Sequence, residues 1–207
     1  MLKIILKELK HHAPFTFLGA CCGIVFMLFF RNIPEAMAHK FFYIFHPLHV
    51  FLSALVTTAI FRLHTKDRPV SWVLIILIGY LGSVGIATLS DSLIPYLGET
   101  LLGLPNRGMH LGFIEEFWLV NPMALIGIAA AFIKPTTKFP HAGHVLLSTW
   151  ASLFHIFMAV GGGLTWVSYL VILFFIFIAV WIPCCVSDIV FPLLFVKRNH
   201  TSAGHEK

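Results

Sequence analysis

Apolar runs close to the length that spans bilayer hydrocarbon, about 20 residues, return along this chain from Ala13 almost to its end, with short polar stretches between them. Such a chain lacks the water-facing surface that a soluble globule needs, because 58% of its residues are hydrophobic and only 11% are charged. In lipid every backbone group must be satisfied internally, and an unbroken apolar run does that as a helix. The expected fold class is an all-α polytopic membrane protein, with residues 1–207 forming a single transmembrane domain.

Six transmembrane helices are expected: Ala13 to Phe30, Phe41 to Phe61, Pro69 to Leu89, Phe117 to Ile133, a fifth from about Phe139 to Val160, and a long sixth from Leu164 past Pro183 toward Val196. The sixth exceeds one crossing. A kink is expected at Pro183, where a backbone NH is missing.

A net charge of +5 raises the question of nucleic acid, but the basic residues are scattered over short loops rather than gathered into a patch. Topology accounts for them better. With the N-terminus inside, Lys3, Lys7, Lys10, Arg62, Lys66, Arg68, Lys134, Lys138, Lys197, Arg198 and Lys207 are cytoplasmic, and only Arg31, Lys40 and Arg107 are outside. This predicts a multi-pass protein with both termini cytoplasmic, of the kind found in a prokaryotic inner membrane. Its expected partners are the lipid bilayer and a small ion or small-molecule substrate, with no nucleic acid; a homo-oligomer is compatible with the composition. The basic start and Ala36-Met37-Ala38 have a signal-peptide layout, yet the apolar core is too long and the small-residue site too distant for cleavage to be expected.

The cysteines fall in two adjacent pairs, Cys21-Cys22 and Cys184-Cys185, inside apolar spans. Adjacent cysteines make a strained bridge, so packing between helices is the expected role.

An internal repeat organises the polar residues. His46-Pro47-Leu48-His49-Val50-Phe51-Leu52-Ser53 returns as His141-Ala142-Gly143-His144-Val145-Leu146-Leu147-Ser148 at an offset of 95 residues. Ser90-Asp91 with Pro95 returns as Ser187-Asp188 with Pro192 at 97, and Ser71-Trp72-Val73 as Thr165-Trp166-Val167 at 94. The first helices match more weakly, Glu8, Pro14 and Gly19 with Glu116, Pro122 and Gly127 at 108. Repeat 1 covers about 8–97 and repeat 2 about 116–196. Three crossings per unit place the second unit upside down, so the plan is two inverted three-helix repeats.

Each unit carries two histidines three residues apart, hence on one helical face, and an aspartate at the end of the next span on the same side of the membrane. Ionisable groups are costly in a bilayer, so their return in both copies argues for a binding role. The expected metal ligands are His46, His49 and Asp91 near the outer face and His141, His144 and Asp188 near the inner face. Imidazole with carboxylate suits zinc, manganese, iron, cobalt or nickel. Ser53 and Ser148 continue the two histidine faces, and His155 follows His144 by about three turns, which makes these three the candidate substrate pathway. Two other readings stand beside this one. Pro47 and Pro140 look like helix starts, where protonated histidines and free NH groups would favour an anion, and polar residues in membrane helices also simply bond one helix to another. Cys184 and Cys185 lie one turn before Asp188, but Ala87 and Thr88 occupy the equivalent place in the first copy, which counts against them as ligands. Glu115, Glu116 and His110 read as a solvated loop.

The plan is similar to inverted-repeat transporters in general architecture only. The expected function is a small secondary transporter or exporter of a divalent transition-metal cation. One alternative is an intramembrane zinc hydrolase, since the constellation is similar to that of membrane hydrolases using serine, histidine and aspartate around zinc; another is a non-catalytic membrane scaffold. Enzymatic activity is the less favoured of these expectations.

Overall fold

Proline, glycine and charged residues bracket the apolar runs and set where helices start and stop. In the computed structural model, which describes residues 2–66, 69–133, 138–185 and 190–196, the elements are α1 (Leu2–Phe29), α2 (Glu35–His64), α3 (Trp72–Leu102), α4 (Gly112–Glu115), α5 (Phe117–Ile133), α6 (Lys138–Ala159), α7 (Trp166–Cys185) and α8 (Phe191–Leu194). No strand occurs among the described residues. Extended Pro34 leads into α2, whose first turn carries Glu35 and whose last carries Arg62 and His64, so the charges complement the helix dipole at both ends. α3 stops at Gly103, whose left-handed conformation (φ 61°) turns the chain away.

Four helical stretches are long and apolar enough to cross a membrane: Glu35–His64, Trp72–Leu102, Ala142–Ala159 within α6 and Trp166–Cys184 within α7. Ala13–Phe29 and Phe117–Ile133 are shorter apolar helices. Trp72, Trp118 and Trp166, near the starts of α3, α5 and α7, are largely exposed, in keeping with amphipathic rings at a membrane surface.

Three helices are longer than their apolar runs suggest, the first of them α1, which starts at Leu2 rather than Ala13. α2 starts at Glu35 rather than Phe41, and α3 continues beyond Leu89 to Leu102. The polar stretch Ser90-Asp91-Ser92 does not end α3, because its groups find partners inside the protein: Thr88 and Ser90 donate back to the carbonyls of Val84 and Ala87, and Asp91 is bonded by neighbouring helices. α3 also contains two π-helical turns, Leu81–Gly85 and Leu89–Leu93. Each widens the helix locally and changes which residues face inward, a distortion common at functional sites. Ser90, Asp91 and Ser92 are all buried as a result. Pro183 lies two residues before the end of α7, and residues 186–189, where the expected bend would continue, are outside the described residues.

α2 is the central helix, packed along α6 and α5, while α7 packs against α1, α6 and the last part of α3. Aromatic rings fill the space between α1, α2 and α6, with Phe45 parallel to Phe154 at 5.6 Å and Phe26 edge-on to Trp150 at 5.0 Å. On the other side α2 meets α5 so closely that a Cβ on Gly127 would collide with the carbonyl of Phe51. Arg62 ties the same helices at one end, donating to the Ala131 carbonyl at 2.7 Å with its guanidinium 4.0 Å from the Phe132 ring centre. This packing brings the middle of α2 against the polar stretches of α3 and α6.

Candidate metal centre

Three-residue spacing puts His46 and His49 on the face of α2 that looks toward α3. There the second π turn presents Asp91. Nδ1 of His46 and Nδ1 of His49 lie 2.8 and 2.7 Å from the same oxygen, Asp91 Oδ2. The other oxygen, Oδ1, accepts from Ser90 Oγ at 2.7 Å and from Ser148 Oγ of α6 at 2.8 Å. Ser152, one turn further along α6, donates to the Ser90 carbonyl and holds the π turn in place. His46, His49, Asp91, Ser90, Ser148 and Ser152 are all within 1% of complete burial. Four donors satisfy a carboxylate, which removes most of the cost of placing it away from water.

The same bonds fix the histidine tautomers. A carboxylate oxygen only accepts, so both Nδ1 atoms carry a proton, and in the neutral ring each Nε2 presents a lone pair. His49 Nε2 points toward Cys184 on α7, 3.9 Å from its Sγ. The ring of His144, on α6, lies 5.5 Å from the ring of His49. One ligand atom from each of His49, His144 and Cys184 falls within 4.8 Å of the others, and all three residues are fully buried. Zinc bonds of about 2.0 Å to nitrogen and 2.3 Å to sulfur at a tetrahedral angle put the two ligand atoms about 3.5 Å apart, so the His49–Cys184 separation needs little adjustment. Asp91 behind His49 is the carboxylate–histidine pairing that orients metal-bound imidazoles.

His46 shares the carboxylate but belongs to a different neighbourhood. Its ring stacks on Phe42 (5.1 Å, 9° between planes), and its Nε2 edge abuts Gly112, where a Cβ would come within 2.7 Å. Phe42 also receives His155 of α6 edge-on at 5.5 Å. His155 Nδ1 lies 2.7 Å from Oε1 of Glu99 on α3, and both residues are buried.

The residues read from sequence therefore meet differently from what their positions implied. Two clusters near opposite faces were expected, but His144 and Ser148 join His46, His49 and Asp91 in one centre. The cause is the helix lengths: His49 and Asp91 look terminal when spans are cut to their apolar runs, yet both lie near the middle of their helices. Ser53, one turn from His49, is buried, and its Oγ makes no hydrogen bond among the described residues. Asp188 and the side chain of His141 lie outside the described residues.

Two site residues escaped the sequence reading. Cys184 was expected to pack between helices, and Ala87 at the equivalent place in the first copy counted against it as a ligand; a site assembled from both halves of the chain does not need matching residues in each. Glu99 drew no reading because the third span was ended at Leu89, although a lone acid followed by an apolar stretch was a usable signal. The expected solvated loop is also more ordered than anticipated. Glu115 Oε2 accepts from Tyr43 at 2.6 Å and lies 3.2 Å from His110 Nδ1, and its Oε1 accepts from the Leu111 NH. Burial, the largest single influence, pushes the Glu115 carboxyl up, but the Tyr43, His110 and Leu111 donors outweigh it and hold it below the usual range.

Against family models, curated proteins and solved structures, the chain gives no match.

Proposed function

We propose that this protein is a small transporter of divalent transition-metal ions, zinc first among them, in which His49, His144 and Cys184 hold the ion at an occluded midpoint. The reading rests above all on one observation: a single buried ligand set draws His49 from the first half of the chain and His144 and Cys184 from the second. An ion held this way is released when the halves part, which is the motion alternating access requires. In this proposal the chain has six spans, arranged as the two inverted repeats 8–97 and 116–196, with both termini cytoplasmic.

Charge supports a divalent substrate. A bound ion takes Cys184 as thiolate, and together with the Asp91 carboxylate two negative groups face two positive charges while the imidazoles stay neutral. Sulfur with two nitrogens favours zinc or cobalt over magnesium or calcium, which take oxygen ligands. His46 and Asp91 act by holding His49 rather than by ligation, and Ser90 and Ser148 hold Asp91.

Among the described residues the set numbers three ligands, the count that hydrolytic zinc sites use with a water in the fourth position, and this favours the zinc hydrolase as the second reading. Hydrolysis needs a substrate to reach a centre with no exposed ligand, whereas an ion needs only alternation of the two halves. The deciding experiment loads proteoliposomes containing the full chain with a zinc-sensitive dye. Zinc entry above that of empty liposomes, abolished in His49→Ala, His144→Ala and Cys184→Ala, is the expected result. Stoichiometric bound zinc with no flux would leave the hydrolase reading, and a purified protein that binds no metal in equilibrium dialysis would leave the scaffold.

A further inference from the structure

Glu99 and His155 form a second buried ionisable pair with no part in holding the metal. Their near atoms are 2.7 Å apart, and both side chains are fully buried. Their outer atoms, Glu99 Oε2 and His155 Nε2, have no hydrogen-bond partner among the described residues. Two unsatisfied polar atoms on one buried pair are costly for a structural bond. Without an added proton the pair is a neutral imidazole and a carboxylate, which buries one net negative charge. One added proton removes that charge. Glu99 Oε2 and His155 Nε2 are therefore two buried atoms of the pair able to take a single added proton.

A route to it is visible. His110, partly exposed in the segment between α3 and α4, has its ring 5.3 Å from that of His155 and is held by Glu115, which Tyr43 also bonds. His39 stands beside Tyr43 at 4.7 Å on the same side. On the inner side Phe42 lies between His155 and His46, closing the pair off from the metal centre. From α7 the neighbour is apolar, Phe175 against Gly98. The ionisable ring against the pair is thus His110, with His39, Tyr43 and Glu115 beyond it on the same side.

We propose that Glu99 and His155 are a proton-binding site, loaded through His110 from the face that carries Glu115 and separated from the metal centre by Phe42. Nε2 of His155 takes a proton relayed from solvent by His110, and the Nδ1 proton moves along the 2.7 Å bond to Glu99. The products are a neutral imidazole protonated on Nε2 and a neutral carboxylic acid, one proton richer than before. Its use as the coupling site for metal movement rests on the transport reading; the proton site itself does not.

Two measurements on the reconstituted full chain separate these claims. In pH-difference infrared spectra, acidification is expected to produce a protonated-carboxyl band that is lost in Glu99→Gln, and that forms more slowly after a pH jump in His110→Ala. A band unchanged in Glu99→Gln overturns the proton site. Should that variant fail to assemble, Glu99→Asp keeps a carboxyl and is expected to shift the band, so an unshifted band overturns it equally. In zinc flux, exchange of one proton per ion makes steady-state accumulation change about tenfold per unit of pH gradient, and Glu99→Gln is expected to bind zinc as before while losing that dependence. If the wild type carries no zinc, the transport reading fails and the infrared band still decides the proton site.

Discussion

Nδ1 of His49 lies 2.7 Å from Oδ2 of Asp91, and the same carboxylate oxygen meets His46 Nδ1 at 2.8 Å. One acid thus sets the tautomer of two histidines, and through His49 it aims a nitrogen lone pair at Cys184. Asp91→Asn replaces an acceptor-only group by one that also donates, so at least one histidine loses its fixed orientation. Zinc affinity is expected to fall by roughly 10–100-fold, the usual effect of removing the partner behind a ligating imidazole. Competition with a chromophoric chelator measures it, and unchanged affinity would remove Asp91 from the site.

Cys184 supplies the sulfur that separates this set from an oxygen-ligand site. With cobalt as the probe, wild-type protein is expected to show a thiolate-to-cobalt charge-transfer band, absent in Cys184→Ser. The same band in the serine variant would place the sulfur ligand elsewhere.

Gly112 is the contact that holds the His46 ring from the far side. A methyl group there comes within 2.7 Å of the ring, which cannot retreat while Phe42 stacks on it and Asp91 bonds it. Gly112→Ala is expected to cost about 1–3 kcal/mol, the range for overpacking, read as a lower thermal midpoint in detergent. Phe42→Ala in the same background opens space beside the ring and is expected to restore part of the loss in relation to Phe42→Ala alone.

Glu115 gives a pH dependence with a definite sign. Its folded pKa is lowered, so the unfolded chain binds more protons and the stability it contributes is present above the ordinary glutamate value, about 4.3, and is lost as pH falls through the lower folded value. Because the side chain is 40% exposed, solvent screening keeps the effect small. Thermal midpoints of wild type and Glu115→Gln are expected to converge as pH falls through the lowered folded value of Glu115, with wild type ahead above the ordinary glutamate range. Parallel curves over the whole range would show that the Tyr43 and His110 bonds contribute nothing.

The helical class and the membrane character were legible from the sequence because both depend on the length and spacing of apolar runs, which are local properties. The same holds for His46 with His49, where a three-residue spacing forces one face. Span ends were less legible. Ser90-Asp91-Ser92 has the composition of a loop, and it is the imidazoles of His46 and His49 and the hydroxyls of Ser148 and Ser152, on other helices, that make it acceptable as buried helix.

By itself, then, the sequence determined the helices, their membrane character and the pairing of His46 with His49 on one face. Tertiary packing decided their grouping: that His49, His144 and Cys184 share a centre, that Asp91 stands behind His49, and that Glu99 pairs with His155. The physical reason is range. Hydropathy and helical periodicity act over one or two turns, whereas a site is made by side chains that are neighbours only because α2, α3, α6 and α7 pack together.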